Sequence, residues 1–425
     1  MSNSGNSSDS QARSRPQLVR EPLWLAGAVR GKNHNLVANV RNAVLYLEGC
    51  PFLPAEFHVA HDEMLRAIVC GMNHEPLNDE ILSRLINWFE SLGEPGFKHY
   101  PAECLRHAIA VVAGYRRFNP LQDALAELKW DGCERIHSWL TRYLGAEDNK
   151  YHTMAGAMFL RSMIARAMMP GCKADYMLVL EGPQRALKST VCSILARGYF
   201  SDSLPDLAGD HVRISMHLRG KWVIEISELH AISRADQSRL KQWLSSPFEQ
   251  YTPKYGRGEV IEPRTCVFIG TTNQKKYLRD ETGGTRYWPV ECGNIDAKRL
   301  ERDIDQLLAE AYQQVIVEKR TWWPPDDDQE KIFAPRQDDR YQGDAWEQPI
   351  ANWDKKIPDH QDGQACRAQV NPPFYLAQIA EGALNIKPGL LRKAEEMRLA
   401  QVLDFMGWIR AKRTMHGTPW FPPAT

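Results

Sequence analysis

Near the middle of the chain the apolar run Leu178–Glu181 stops at the short segment Gly182–Thr190, which ends in Lys188-Ser189-Thr190, and resumes as the apolar helix Val191–Ala196. A strand, a tight loop closing on Lys-Ser and a helix belong to a parallel α/β sheet. Loop N–H groups and the helix N-terminus then converge on one point where phosphate binds. The lysine reaches the β- and γ-phosphates, and the serine hydroxyl ligates Mg²⁺. Lys188 and Ser189 fit these roles, and Gly182, Gln184, Lys188, Ser189 and Thr190 form the candidate nucleotide-binding set. The strict loop has glycine immediately before the lysine, where backbone approaches phosphate closely. Here that position is Leu187, with Arg185 two residues earlier, so the strict motif fails.

The residues downstream keep the order such a site needs. Trp222–Ile226 reads as a buried strand ending at Ser227-Glu228, and an acid at a strand tip can hold Mg²⁺ through water or activate the attacking water. Glu228, just past the strand, is preferred over Glu225 within it. A third strand, Cys266–Thr272, ends at Asn273, whose amide can orient water beside the γ-phosphate. Arg286 is the candidate arginine finger, reaching a neighbouring subunit's nucleotide; a plain salt-bridge arginine is the alternative. Between the second and third strands, Lys254, Tyr255 and Arg257 crowd a Gly-containing turn. That reads either as a hairpin offering cations to nucleic-acid phosphates and a ring to a base, or as a solvated surface turn.

Around this core the chain of 425 residues divides into five parts. Residues 1–17 are a Ser/Asn/Gln-rich tail expected to be disordered. Residues 18–135 show only helical spacing (Val40–Leu47, Ile81–Leu92, Cys104–Ala113, Leu121–Leu128) and are expected to be all-α. Residues 136–325 carry the core with a preceding helical segment, and 326–373 form a polar, Pro-containing linker with local helix. Residues 374–425 show two helices then a hairpin, a small winged-helix-like module whose Lys387, Arg392, Lys393, Arg398, Arg410, Lys412 and Arg413 make a second basic set. The alternative for that set is a solvated helix surface.

Composition narrows the function without naming it. With 53 Lys+Arg against 53 Asp+Glu there is no global basic field, so nucleic acid must be met by local patches. Nine scattered cysteines without a CxxC pair point to reduced, structural thiols. His58/His61 and His211/His217 lack further ligands at metal spacing. No apolar stretch approaches the length of a membrane span, and a soluble cytoplasmic protein is expected.

In their order these pieces resemble the virulence-associated protein E family of phage and mobile-element ATPases related to superfamily 3 helicases. The resemblance rests on Asn119–Trp130 with Asp131-Gly132, Trp139-Leu140, Arg142–Asp148, Pro170–Asp175, Leu178–Gln184, Lys188–Thr190 and Phe200–Asp206. It continues through Leu218–Trp222, Glu228-Leu229, Tyr255–Arg257, Cys266–Asn273, Tyr277–Thr282 and Arg286–Val290. It implies an α/β P-loop core of the AAA+ type, with ATP and Mg²⁺ as cofactors and a homo-oligomeric ring, a hexamer in such proteins. It also implies hydrolysis between subunits that drives movement on DNA, single-stranded or origin duplex, with priming left to a separate primase. Relatives often carry glycine where Arg185 and Leu187 stand and a second arginine where Thr285 stands, so hydrolysis competence is the property these departures bear on. A DNA-binding regulator with a degenerate, weakly or non-hydrolysing nucleotide site is the alternative.

Overall fold

The computed structural model describes residues 22–32, 34–92, 97–206, 209–229, 234–254, 258–278, 284–341, 343–354, 373–415 and 417–423. Two compact units divide at Asp123/Ala124, inside the helix Pro120–Glu127 and ahead of the expected boundary at Arg135. Among the described residues no helix is long and apolar enough to cross a membrane.

The first unit corrects the all-α expectation. It holds a four-stranded sheet in the order β3-β2-β1-β4, made of β1 (Val59–Asp62), β2 (Ala67–Cys70), β3 (Glu75–Pro76) and β4 (Arg117–Phe118). Each strand is too short to show alternation, and β4 joins parallel to β1 from far along the chain, a pairing local spacing does not reveal. Asp62 Oδ1 accepts from the Met64 and Leu65 N–H groups, and Arg66 takes φ 54°, which tightens the β1–β2 turn. The helices α1 (Val40–Gly49), α2 (Asp79–Ser91) and α3 (Ala102–Tyr115) stand within two residues of expectation at each end. Asn39 and Asn78 cap α1 and α2 by accepting from the Asn42 and Ile81 N–H groups. Their apolar faces meet around Tyr46, Phe89, Phe97 and Tyr100.

The second unit begins in α4 (Pro120–Glu127) and runs through α5 (Trp139–Leu144) and α6 (Lys150–Met168), a helix buried nearly all round. It then builds a five-stranded parallel sheet from β5 (Met177–Glu181), β6 (Phe200–Ser201), β7 (Val223–Ile226), β10 (Val267–Thr272) and β11 (Tyr287–Glu291), in the order β11-β5-β10-β7-β6. The helices α7 (Lys188–Ala196), α8 (His211–Leu218), α9 (Arg234–Leu244) and α10 (Ala297–Tyr312) connect and cover the strands. From β5 the chain crosses to the far edge at β6, and from β10 it crosses the other way to β11. The two connections leave neighbouring strands in opposite directions, which opens a crevice at their carboxyl ends. Sequence patterning missed β6 and β11. The first has two residues, and the second carries Pro289, which an edge strand tolerates because it need not donate to a neighbour there.

The segment expected to be a linker with local helix carries helix among its described residues. Asp326–Asp328 (α11) and Ala334–Asp338 (α12), joined by a wider helical turn over Gln329–Phe333, pack on the sheet edge. Phe333 lies against Tyr151 and Trp288, and Gln337 Nε2 donates to Tyr287 O at 2.9 Å. Over 326–338 the packing was masked in the sequence by acids, because Ile332 and Phe333 are the only large apolar residues there.

The last part of the second unit comprises α13 (Glu347–Asp354), β12 (Phe374–Tyr375), α14 (Leu376–Leu384), α15 (Lys393–Phe405), β13 (Ile409–Arg410) and β14 (Pro419–Phe421). Its three strands form an antiparallel sheet in the order β12-β14-β13 over a core of Ile350, Ile379, Leu399, Val402, Leu403, Trp408 and Trp420. Arg398 forks onto Asp344 through Nε (2.9 Å) and Nη2 (2.8 Å), so it is an anchor and leaves the expected basic surface.

Candidate nucleotide site and basic hairpin

The loop between β5 and α7 begins level with the tip of β10, because Thr272 pairs with Glu181 and Gly182 N–H donates to Thr272 O at 3.2 Å. Asn273 therefore stands beside Gly182, exposed at the strand tip. Arg185 and Leu187 have φ of 64° and 61°, the left-handed conformation that glycine adopts without cost. The loop thus keeps the shape of a glycine-bearing one and holds it against the steric cost of two Cβ atoms. Leu187 caps α7 with no side-chain hydrogen bond, and Arg185 is exposed with no ion partner among the described residues.

Lys188 Nζ donates to Gly182 O and Pro183 O, both at 2.7 Å, so the amine is folded back over its own loop. Burial pushes this amine below its ordinary pKa, while Cys292 and Glu225 push the other way. Ser189 Oγ donates to Glu225 Oε1 at 2.8 Å, and Thr271 Oγ1 donates to the same oxygen at 2.7 Å. Glu225 is 2% exposed, and its Oε2 is buried with no hydrogen-bond partner. A buried carboxylate oxygen left unsatisfied beside a serine hydroxyl suits a cation. Mg²⁺ fits this pair because it keeps several waters and needs only one or two protein oxygens.

Of the expected residues, the structure gathers Gly182, Gln184, Lys188, Ser189, Thr190 and Asn273 at the carboxyl ends of β5 and β10, with Gln184 and Thr190 exposed. The acid brought to Ser189 is Glu225, inside β7, whereas Glu228 lies beyond the strand, exposed and at φ 52°. The sequence favours Glu228 over Glu225 because an acid just past a strand tip is the better placed of the two. The partners of Glu225, Ser189 and Thr271, are 36 and 46 residues away.

Arg286 stands just before β11. Tyr287 pairs with Met177 and Glu291 with Glu181, so Arg286 lies at the opposite end of the sheet from the loop. Five strand residues separate it from the loop, about 17 Å. It is half-buried near Tyr176, whose phenol burial raises and Arg286 lowers, and it makes no ion pair among the described residues.

Beside the loop lies a cavity of about 380 Å³. Glu147 and His152 stand on one wall, Glu291 and Cys292 on another, and Arg336 and Arg340 close it. Cys292 N–H donates to Glu181 O at 2.8 Å, which joins this cavity to the base of the loop. Arg340 holds the buried Glu181 carboxylate with two 3.0 Å hydrogen bonds, and Tyr277 OH adds a third at 2.9 Å. His152 Nδ1 donates to Glu147 O at 2.7 Å; burial, reinforced by Arg336 and Arg340, holds its pKa below the ordinary value.

The expected basic hairpin has its strands: β8 (Phe248–Tyr251) pairs antiparallel with β9 (Val260–Pro263). Lys254 is exposed near the turn, and Tyr255 and Arg257 lie outside the described residues. The hairpin root is bound into the unit by ions. Arg264 pairs with the buried Glu249, which accepts from Ser215 Oγ, and Arg219 Nη2 donates to Glu262 Oε1 at 2.6 Å.

Comparison with known proteins adds a family. Solved structures of the C-terminal region of NrS-1 are similar at 12%, 12% and 10% identity, with TM-scores of 0.47, 0.46 and 0.48. They cover 87%, 86% and 87% of this chain and 96%, 96% and 97% of theirs. No curated protein matches the chain. The model of the virulence-associated protein E-like domain matches residues 125–342, more than half of the 425 residues, and the chain belongs to that family.

Proposed function

We propose that this protein is an ATP-dependent motor acting on DNA in the replication of a phage or mobile element. The observation that carries the reading is the Ser189–Glu225 hydrogen bond beside Lys188, at the carboxyl ends of a parallel sheet. Bound Mg²⁺ would supply charge neutralisation for the β- and γ-phosphates, with Ser189 and Glu225 holding it. Lys188 exchanges its two loop carbonyls for phosphate oxygens, and the α7 N-terminus adds N–H groups to the same anion. Asn273 orients the attacking water and Glu228 is placed to accept its proton. The adjoining cavity takes the nucleoside, and its carboxylates Glu147 and Glu291 accept from ribose hydroxyls or a purine amine.

Arg286 cannot serve its own loop across the length of β11, so it acts as a finger on a neighbouring subunit and requires a ring. Lys254, with Tyr255 and Arg257, presents the DNA contact. Unwinding of a forked DNA by the purified protein tests this directly. ATP should support unwinding and a non-hydrolysable analogue should not. Nucleotide binding without any unwinding or turnover would favour a DNA-bound nucleotide switch instead, with Leu187 as the residue responsible.

A further inference from the structure

We propose that the described residues between Glu347 and Pro423 form a duplex-DNA reader, separate from the basic hairpin of the core, in which the β13–β14 hairpin grips the phosphate backbone and α15 faces the base edges. The described elements come in the order helix, strand, helix, helix, strand, strand around a core of their own, so the module presents a rigid surface. Between α15 and the hairpin is a cleft of about 390 Å³. One wall is the row Lys393, Glu396, Met397 and Ala400, at the spacing of a single helix face, and the other carries Arg410 and Arg413.

Charge identifies the occupant. Arg410, Lys412 and Arg413 are exposed and make no ion pair among the described residues, while Arg398, on α15, is held by Asp344. From Phe374 to Thr425 the chain has seven Lys/Arg against four Asp/Glu, within a protein of zero net charge. Such cations, held on a hairpin beside a helix, match the phosphates that flank a groove.

The same walls favour duplex over single strand. Single strands need open aromatic faces on which bases stack. Of the two rings that line the cleft, Trp420 is 1% exposed with Arg410 over it, and Tyr375 is half-buried with its hydroxyl beside Thr414. The helix offers instead side chains that recognise base edges in the major groove: Glu396 accepts from the cytosine amine, Gln401 pairs with adenine, and Met397 meets the thymine methyl.

The test uses the full-length protein without nucleotide and a short fluorescent duplex, titrated over a range of salt. Arg410→Ala/Lys412→Ala/Arg413→Ala should weaken duplex binding at least tenfold and lower the slope of log K against log salt by about 3. Lys412→Glu/Arg413→Glu, two fully surface changes, should weaken it further. Glu396→Ala should change the base preferred at one position of a randomised duplex pool and leave the salt slope intact. Lys188→Ala should bind duplex as the unmodified protein does, which separates this proposal from the nucleotide site. Unchanged affinity and slope in both hairpin variants would overturn the proposal, as would a loss confined to single-stranded DNA.

Discussion

Ser189 and Glu225 are 36 residues apart in sequence and share a 2.8 Å hydrogen bond that ties the first turn of α7 to the middle of β7. The contact leaves Glu225 Oε2 buried and unpartnered next to the serine. Glu225→Gln keeps the shape and removes the charge. ATP turnover should fall at least 100-fold, with its Mg²⁺ requirement shifted to higher concentration, while nucleotide binding measured without metal persists. Titration of Mg²⁺ against turnover reads both.

Leu187 and Arg185 hold a glycine conformation without being glycine. Leu187→Gly should stabilise the fold by about 1 kcal/mol in chemical denaturation, because a left-handed residue with a Cβ costs about that much. It should also tighten ATP binding, since the backbone gains room beside the phosphates. Arg185→Gly should show the same stabilisation with a smaller gain in affinity, because it also removes a cation from the loop.

Arg286 and Lys188 stand at opposite ends of the sheet, so their losses should complement each other in mixed assemblies. Arg286→Ala alone should bind ATP normally and turn over at least 100-fold more slowly. Lys188→Ala alone should bind ATP poorly. A mixture of the two should recover measurable turnover at interfaces that pair an intact loop with an intact finger, and no recovery at any ratio would place Arg286 outside the neighbouring site.

Glu181 and Arg340 form a buried pair, with side chains 4% and 13% exposed. Arg340→Met leaves the carboxylate with only Tyr277 and should cost about 3–5 kcal/mol. Adding Glu181→Gln should recover part of that loss. Equilibrium unfolding of the single and double variants measures both.

His152 is held neutral by burial, below its ordinary value of 6.5. As pH falls through about 6.5, the unfolded chain takes up a proton that the folded chain resists, so stability falls with acidification. The contribution is intact above 6.5 and is lost toward lower pH. Unfolding at a series of pH values should show a shallower acid decline for His152→Gln.

How much of this was legible in the sequence differs from place to place. The loop was legible because its residues are contiguous, and even its departures, Arg185 and Leu187, were visible as missing glycines. Which acid meets Ser189 was not, because Glu225 inside β7 is reached by hydroxyls supplied from α7 and β10, far away in sequence. The small sheet of the first unit was hidden by strands of two to four residues, one of which, β4, joins β1 from far along the chain. The packing around Phe333 was masked by acids, and Arg398 read as a surface cation until Asp344 was found beside it.

The most direct test of the central claim is ATP hydrolysis by the purified protein with Mg²⁺, with and without single-stranded DNA, beside Lys188→Ala and Glu225→Gln. Turnover that DNA stimulates and both variants lose is the result predicted here. Turnover that survives in both variants, or its complete absence in an assembled ring supplied with ATP, Mg²⁺ and DNA, would contradict it.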